Sequence, residues 1–364
     1  MILSEITSYL ETLVPLDFQE SYDNCGLLVG EKETNVTGIL ICLDLTHQVI
    51  DEALEKQCNL IISHHPIIFS GLKKLTGQNI TQQIVVRAIR KNISLYAMHT
   101  NLDNYYEGVN HILCRKLNLS HTKVLKPAEG KLLKLVTYCP VSHTEAVQKA
   151  LFSAGAGHIW NYDSCSWSTL GEGTFKASED ANPFVGKISQ LHKEPELRME
   201  TIFPSHLQKV IIQALLKSHP YEEVAYDVYP LLNIHERLGA GMIGILPEPM
   251  DSIAFLQKVK EILNLRCIRH TFNAKKIISR VALCGGSGSF LIPDAMRCNA
   301  DIYLTGDIKY HDFFLDDNQM ILADIGHYES EQFTKELIYT LLKKKFTTFA
   351  LHICETNTNP INYL

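Results

Sequence analysis

The sequence has few of the features that mark a specialised class of protein. Its ten cysteines are scattered without a Cys-x-x-Cys pair, and no lysine- and arginine-rich block is dense enough for a nucleic-acid-binding surface. No apolar run approaches the roughly 20 residues of a membrane-spanning helix. The first residues lack the basic and apolar regions of a signal peptide. A membrane protein, a disulfide-rich secreted domain and a nucleic-acid-binding protein are therefore not expected.

The composition that is present is that of an ordinary soluble protein. Of the 364 residues, 46% are hydrophobic and 20% are charged, and the formal net charge is -6. Because a chain of this length is too long to fold around one hydrophobic core of typical size, we expect two or three domains. Cys42, Cys284 and Cys354 lie in apolar runs, as reduced cysteines do in the cytosol. We therefore expect a cytoplasmic protein.

The strongest chemical signal is a pair of adjacent histidines at the end of an apolar run. Residues 60–62 (Leu-Ile-Ile) predict a central parallel strand that is buried on both faces. His64 and His65 follow this strand, and Pro66 ends it. Since ligands of open α/β sheets lie at the carboxyl ends of the strands, both histidines are candidate metal ligands.

Two further strand ends carry polar side chains of the same kind. A strand predicted over residues 93–98 is followed by His99 and Asp103, and an apolar run that ends at residue 324 is followed by His327 and Glu331. A helix predicted over residues 330–343 would place His327 and Glu331, four residues apart, on one face at its start. That spacing suits two ligands of one metal centre.

A weak internal repeat and a different middle segment define the expected architecture. Residues 39–64 have a counterpart in residues 281–306, with the same spacing from a cysteine to a strand end. Between them the predicted elements follow the order βαβ, βαβ of a ferredoxin-like α+β unit. We expect an α/β fold in which two pseudo-repeated halves, 1–126 and 237–364, form one metal-binding domain that is interrupted by an insert at 127–236.

The candidate metal ligands are imidazoles and carboxylates: His64, His65, Asp103, His327 and Glu331. A set without thiolate favours Zn, Mn, Fe or Co, with Zn first among them, over an iron–sulfur cluster or a structural cysteine site. Five ligands are too many for one catalytic ion with an open position, so we expect two divalent ions that share a bridging carboxylate. His99 and His311 are candidates for orienting a ligand, contacting substrate or transferring protons.

Structural roles compete with these assignments. A single histidine at a strand end is usually a hydrogen-bonded surface or cap residue, and the remaining histidines lack partners at a recognisable spacing. His158 is a weak candidate in a glycine- and aromatic-rich segment, residues 155–186, which predicts an ordered loop. Asp23 and Asn24 either form a turn or lie beside the site.

Five motifs resemble those of the NIF3-like proteins, which are known as GTP cyclohydrolase 1 type 2 homologues. They are Asp-Asn-Cys-Gly-Leu-Leu-Val-Gly at 23–30, Ser-His-His-Pro at 63–66, His-Thr-Asn-Leu-Asp at 99–103, Gly-Asp-Ile-Lys-Tyr-His-Asp at 306–312 and Gly-His-Tyr-Glu-Ser-Glu at 326–331. The motifs occur in the family's order and cover essentially the whole chain. The resemblance implies that the five candidate ligands hold a dinuclear metal centre.

The middle of the chain resembles the insert of the longer bacterial members of that family. Residues 157–167 and 171–175 carry the likeness, and that insert is itself similar to PII- and CutA-like trimeric modules. The resemblance implies a homohexamer of two facing trimers with the metal sites along an internal cavity.

The same resemblance implies a metal-dependent hydrolase that opens the imidazole ring of GTP and releases formate. His99 would transfer protons and His311 would stabilise the adduct. A Walker-type phosphate loop is absent from the sequence, so other groups would hold a nucleotide, and a two-metal centre suits other hydrolysable bonds equally. The alternative is a metal-binding hexameric scaffold whose PII-like insert senses a small ligand, with little turnover.

Overall fold

The chain divides into two compact units. The computed structural model describes residues 1–159, 161–271, 277–315 and 319–364, so Trp160 of the segment 157–167 lies outside the described residues. Unit 1 combines Met1–Pro127 with Glu236–Leu364, and unit 2 is Ala128–His235. Because unit 1 contains both ends of the chain, the candidate ligands from the two halves belong to the same unit.

Strands and helices alternate along most of the chain. In chain order the strands are β1 (Gly26–Val29), β2 (Ile39–Cys42), β3 (Leu60–Ser63), β4 (Ser94–Ala97), β5 (Ser120–Ala128), β6 (Leu132–Pro140), β7 (Ser166–Lys176), β8 (Leu191–Pro204), β9 (Tyr226–Pro230), β10 (His235–Asp251), β11 (Arg269–His270), β12 (Ile277–Ser287), β13 (Ile302–Gly306), β14 (Ile321–Asp324) and β15 (Leu351–Ile353). The α-helices are α1 (Leu3–Leu13), α2 (His47–Glu55), α3 (Ile80–Arg90), α4 (Thr100–Asn104), α5 (Val109–Lys116), α6 (Thr144–Ser153), α7 (Gln208–Ser218), α8 (Ser252–Ile262), α9 (Ile292–Arg297), α10 (His327–Glu331) and α11 (Thr334–Lys345). Short 3₁₀ helices lie at Leu16–Phe18, Val141–His143, Ser205–Leu207, Ser289–Leu291 and Tyr310–Phe314.

The first sheet of unit 1 has the strand order β1-β4-β3-β2-β15. Strands β4, β3, β2 and β15 run parallel, and β1 lies antiparallel to β4 at the edge. The middle strand, β3, is buried along its whole length, which confirms the strand predicted at residues 60–62. Its carboxyl end therefore opens at the centre of the sheet, where His64 and His65 follow.

Each face of this sheet packs against its own pair of helices. Because successive side chains of a strand point to opposite faces, Ile62 packs against Ile6 of α1 and Ile338 of α11 on one face. On the other face, Ile61 packs in a core with α2 and α3, including Val49. With both faces covered, the strands must be apolar throughout, and polar side chains gather at the strand ends.

The second sheet of unit 1 has the strand order β11-β14-β13-β12-β10-β5. Strands β12, β13 and β14 run parallel, whereas β10 and β11 pair antiparallel with β12 and β14. Leu283 and Leu304 pack with Phe255 of α8 on one face, and Tyr303 packs with Ile292 of α9 on the other. The carboxyl end of β14 leads directly into α10.

Unit 2 is an antiparallel sheet with helices on one face. Its elements follow the order β6, α6, β7, β8, α7, β9, and its strands lie in the order β7-β8-β6-β9. Val147 of α6 and Ile211 of α7 pack on Leu135 and Phe203 of the sheet. The apolar stripes of the two helices thus build the core of this unit.

Two local predictions are wrong. The glycine-rich segment expected to be a loop contains strand β7, which pairs with β8 over eleven residues from Ser166 to Lys176. Backbone pairing with β8 along the whole strand compensates for the weak strand propensity of the glycines. The helix expected over residues 330–343 is divided into α10 and α11, so that His327 and Glu331 lie within a short helix of their own.

All ten cysteines are free thiols. Six of them are buried, and burial raises the pKa of each above that of an ordinary thiol. Within the described ranges, no helix combines the length and the apolar character needed to cross a membrane.

Candidate metal centre

The first histidine pair is positioned by the parallel ladder of the first sheet. The His64 and His65 backbone N–H groups donate to the carbonyls of Cys42 and Leu43, at 3.2 and 3.0 Å, so the two residues continue β3 past its end. His64 is completely buried, and its Nδ1 lies 2.7 Å from the Met98 carbonyl oxygen. Because a carbonyl only accepts, Nδ1 carries the proton and Nε2 is left with its lone pair.

The second pair comes from the short helix that follows β14. His327 and Glu331 are the first and last residues of α10, four apart on one face. The backbone of His327 passes so close to Gly306 at the end of β13 that a Cβ there would lie 2.8 Å from the His327 nitrogen. Glycine at this position therefore lets the start of α10 reach the strand ends.

Two carboxylates hold the rings of His65 and His327. The Nδ1 of His65 lies 2.7 Å from Asp44 Oδ1, and the Nδ1 of His327 lies 2.7 Å from Asp307 Oδ2. Such a contact to Nδ1 fixes the ring and directs Nε2 away from the carboxylate, as in carboxylate–histidine–metal arrangements. Asp307 reaches this place with a left-handed backbone φ of 56°, a conformation that aspartate tolerates better than most residues.

The remaining ring nitrogens converge on Glu331. The two Nε2 atoms of His65 and His327 lie 3.2 Å apart, and each lies 3.0 Å from Glu331 Oε2. The other oxygen, Oε1, lies 3.7 Å from His64 Nε2, which in turn lies 3.6 Å from Asp103 Oδ1. Glu331 thus lies between two groups of ligand atoms. Its Oε2 contacts His65 and His327, and its Oε1 is directed to His64.

Two of these atoms are buried without a hydrogen-bond partner among the described residues. They are His64 Nε2 and Asp103 Oδ1, which lie 3.6 Å apart, whereas Glu331 Oε2 lies 3.0 Å from the Nε2 atoms of His65 and His327. A buried polar atom left unpaired is costly, and one cation would compensate both atoms. The donor set of imidazole nitrogens and carboxylate oxygens suits Zn, Mn, Fe or Co, so the residues fit divalent metal binding.

The titration of the carboxylates reflects their crowding. Burial and the neighbouring Glu331 charge raise the pKa of Asp103 to about 7. Burial would also raise the pKa of Glu331, but its contacts with His327, His64 and His65 hold it well below its ordinary value. The two carboxylates are thus shifted in opposite directions, Asp103 towards its protonated form and Glu331 towards its ionised form.

Three overlapping groups have ligand atoms close enough for one ion each. Two of them are His65, His327 and Glu331, and His64, Asp103 and Glu331; the third is His64, His65 and His99. The described residues thus contain His and carboxylate groups that could hold a metal ion. The five sequence-predicted ligands all lie in this cluster, although their metal-binding roles stay a prediction.

His99 lies beside the cluster and is held by Asp23. The Nδ1 of His99 lies 2.8 Å from Asp23 Oδ1, and the Thr100 N–H donates to Oδ2 at 3.0 Å. Burial acts against ionised Asp23, but the hydrogen bonds from His99 and Thr100 lower its pKa. The Nε2 of His99 is the nitrogen left to interact with other groups. Asn24 donates to the Ile68 carbonyl at 2.6 Å.

An open cleft of about 430 Å³ gives access to the cluster. It is lined by His65, His99 and His327, by Leu43, Asp44, Pro66, Phe69 and Tyr328, and by Asn359, Pro360 and Ile361 near the end of the chain. Thr358 donates to Asp44 at 2.9 Å, and Asn359 donates to Glu329 at 3.0 Å. These bonds hold the C-terminal segment against the cleft.

The structure does not bring His311 into the cluster. Its side chain is exposed on the 3₁₀ helix Tyr310–Phe314, and its ring packs edge-on against Tyr310. In unit 2, exposed His158 lies 3.5 Å from Asp163. Sequence reasoning missed Asp44 and Asp307, although both closely follow strand ends, β2 and β13, which is the one signal that could have pointed to them.

Comparison with known proteins places this architecture in a family. The family Duf34/NIF3 (NGG1p interacting factor 3) matches residues 1–360. The chain belongs to the NIF3 family. It is 38% identical to the GTP cyclohydrolase 1 type 2 homolog of Bacillus subtilis, covering 99% of this chain and 98% of that protein. A homolog of the same name in Staphylococcus epidermidis is 34% identical over the full length of both.

Two crystal structures have the same fold as this chain. A Bacillus cereus protein related to NIF3 superposes with a TM-score of 0.87 at 37% identity, covering 100% of this chain and 99% of that one. A Staphylococcus aureus protein superposes with a TM-score of 0.79 at 28% identity, with the same coverage. The mixed α/β fold with several sheets is therefore that of NIF3 proteins.

Proposed function

We propose that this NIF3 protein is a dinuclear-metal-dependent hydrolase of the GTP cyclohydrolase 1 type 2 kind, acting on a purine nucleotide or a similar small molecule. The observation that carries the proposal is the convergence of five candidate ligands, two of them with buried unpaired atoms, next to an open cleft that His65 and His327 line. Buried polar atoms without partners are rare unless a ligand satisfies them. The names of the relatives add to this support.

The ligands divide naturally between two ions. His65 and His327 would hold one ion and His64 and Asp103 the other, with one oxygen of Glu331 directed to each. When bound, two divalent ions, Zn before Fe, Mn or Co, supply Lewis-acid activation of water and of the bond to be hydrolysed.

The chain's own residues then position the rings and move protons. Asp44 and Asp307 hold the rings of His65 and His327 in place through Nδ1. Asp23 does the same for His99, whose Nε2 is left to accept a proton from a reacting group in the cleft and return it. His311 remains a proposed contributor to the reaction, although in this chain it lies outside the cluster.

The architecture supports a repeat with an insert. Strands β4, β3 and β2 of the first sheet correspond to β14, β13 and β12 of the second, and His99 and Asp103 share the four-residue spacing of His327 and Glu331. We infer that residues 1–126 and 237–364 are pseudo-repeated halves of one domain. The strand order β7-β8-β6-β9 is that of a ferredoxin-like unit, which supports a PII- or CutA-like insert at 127–236.

Assembly and location are part of the same proposal. The likeness of the insert to trimeric modules favours a homohexamer, a dimer of trimers, and the ten free thiols suit the reducing cytoplasm. Size-exclusion chromatography with light scattering tests the assembly: a mass of six chains is expected, whereas a stable monomer would contradict it.

The decisive experiment measures metal content and turnover on one sample. The chain is purified without affinity histidines or added metal, analysed by plasma mass spectrometry, and assayed for formate release from GTP with formate dehydrogenase. We expect two metals per chain and formate release. In Glu331→Gln both should fall, because one oxygen of the shared carboxylate becomes an amide; Glu336→Gln, an exposed glutamate of α11, is the matched control.

The outcomes separate the hydrolase from the scaffold. Two metals without formate would contradict GTP hydrolysis and favour a hexameric metal-binding scaffold with little turnover. Full metal content in Glu331→Gln would contradict the ligand assignment. No metal, either as purified or after reconstitution, would overturn the proposal.

A further inference from the structure

Unit 2 contains a large groove that the proposed hydrolysis does not use. It lies beside β7 and β8, has a volume of about 1020 Å³, and is bordered by the segment from Ala177 to Phe184. Its chemically distinctive lining consists of the carboxylates Glu172, Asp180, Glu196, Glu222 and Glu223 and the aromatic rings Tyr138, Phe175, Phe184 and Tyr221. Two cationic side chains, Lys176 and Arg198, also line it, so the groove is acidic overall.

Glu196 is the most unusual of these carboxylates. It is only 9% exposed, and its Oε1 accepts a hydrogen bond from the Tyr221 hydroxyl at 2.8 Å. Among the described residues it has no ion pair, whereas Glu172 lies 2.7 Å from Lys193. The nearby Arg198 is paired with Glu200 at 2.9 Å. A buried carboxylate without a cation is costly, and that cost would fall if a ligand supplied the positive charge.

A glycine makes room for this carboxylate. On the paired strands, Gly171 lies opposite Glu196, and Gly173 is two residues further along β7. A Cβ at Gly173 would lie 2.1 Å from Glu196 Oε2. A side chain at position 173 would therefore push the Glu196 carboxylate aside, so glycine lets Glu196 lie over β7, where it lines the groove.

Aromatic rings stand next to the carboxylate. The rings of Phe175 and Phe184 lie 6.1 and 6.3 Å from that of Tyr221, centre to centre. Phe184 is 51% exposed, so part of its ring is open to a ligand. The faces of aromatic rings attract organic cations, and a carboxylate accepts their N–H groups.

We propose that this groove binds a linear polyamine. One ammonium group donates hydrogen bonds to Glu196, the alkyl chain and a further ammonium lie along Phe175, Phe184 and Tyr221, and the exposed carboxylates of the rim balance the remaining charge. The proposal concerns unit 2 alone and does not depend on the metal centre.

Calorimetric titration of the full-length protein with spermidine tests the proposal. We expect saturable binding with one site per chain, and 1,4-butanediol, which has an alkyl spacer but no charge, should not bind. Glu196→Gln should weaken binding by about 10- to 100-fold, because a hydrogen bond to a charged group is lost. The matched control is Glu145→Gln, an exposed glutamate of α6, which should bind like the unmodified chain.

Two further variants guard against misfolding as an explanation. Tyr221→Phe keeps the ring and removes the hydroxyl that holds Glu196, and Gly173→Ala displaces the carboxylate; both should weaken binding while the near-ultraviolet circular dichroism stays unchanged. Absence of spermidine binding would overturn the proposal. The proposal would also be overturned if Glu196→Gln and Glu145→Gln bound spermidine equally well and salt abolished the binding. Such binding would be non-specific attraction of cations to the acidic surface.

Discussion

The Nε2 atoms of His65 and His327 lie 3.2 Å apart although the residues are 262 positions apart in the sequence. Each ring is held from behind by a different carboxylate, Asp44 and Asp307. The distance between the two nitrogens is therefore set by two separate strand ends, β3 and β14, and not by local sequence.

Asp44 should contribute to metal affinity without being a ligand. In Asp44→Asn the side chain keeps its size but loses the charge that orients His65, so we expect metal affinity to fall by about 10- to 100-fold. Competition with a chromogenic chelator measures this. Asp51→Asn, which alters an exposed carboxylate paired with Arg87, is the control, and equal affinities in the two variants would refute the role of Asp44.

Metal binding should release protons at neutral pH. Burial would lower the pKa of both imidazoles, but hydrogen bonds that His65 donates to Asp44 and Glu331 raise its pKa to about 10, and those that His327 donates to Glu331 and Asp307 raise its pKa to about 9. Both rings therefore carry an extra proton below these values, and a metal must displace it. We expect at least two protons per chain, one from each ring, with a further contribution from Asp103 near neutral pH, and affinity that increases with pH.

Calorimetry in buffers of different ionisation enthalpy measures that release. The observed heat of metal binding should change linearly with the ionisation enthalpy, with a slope equal to the number of protons. A heat that is the same in every buffer would show that both rings are already neutral in the metal-free protein.

His99 should affect turnover more than metal content. Loss of general acid–base catalysis typically costs 10²–10⁴-fold, so His99→Gln should lower kcat by about 100-fold or more with little change in KM. Asp23→Asn, which leaves the imidazole in place, should lower kcat less. Metal analysis of the same samples is essential, because loss of an ion in His99→Gln would make His99 a ligand in the group that it forms with His64 and His65.

Glu52 should stabilise the end of the chain in a pH-dependent way. It is 8% exposed and accepts hydrogen bonds from the backbone of Glu355 at 2.9 Å and from the Thr356 hydroxyl at 2.6 Å. Burial would raise the pKa of Glu52, but the bonds from Thr356, Cys354 and Glu355 lower it below its ordinary value. We expect Glu52→Gln to lose about 1–3 kcal/mol of unfolding free energy at neutral pH.

Urea unfolding at neutral and acidic pH checks both the size and the sign. Because the folded pKa is lowered, the contribution of Glu52 is complete above the pKa of the unfolded chain and is lost as the pH falls through the folded pKa. The difference between the unmodified chain and Glu52→Gln should therefore narrow in acid. Glu55→Gln, on the exposed side of α2, is the control and should unfold like the unmodified chain at both pH values.

The sequence predicted the position of the candidate metal ligands better than that of the residues that surround and hold them. His64 and His65 could be located because an apolar run indicates a strand buried on both faces, and its end is where ligands gather. The same rule applied to Asp44 and Asp307, but a single acidic residue after a strand is common and gave no reason to select either. His311 was instead selected as a site residue but lies outside the cluster. Its position in a motif near a strand end does not determine where the His311 side chain points.

The secondary structure failed where tertiary pairing outweighs local preference. Gly171 and Gly173 argue against a strand, yet β7 forms because β8 offers it a ladder of eleven residue pairs. The continuous helical pattern after residue 330 hides the break between α10 and α11, because the same apolar spacing fits one helix or two. Neither outcome could be derived from neighbouring residues alone.

Strand β15 has a consequence for synthesis of the protein. It pairs with β2 in parallel, Leu351 opposite Ile39, yet it lies roughly 300 residues further along the chain. At about 5–20 residues per second, a ribosome needs about 15–60 s to make that interval. During this time the β2 edge of the first sheet lacks its native neighbour, so the nascent chain presents a hydrophobic strand edge of the kind that chaperones protect from aggregation until β15 arrives.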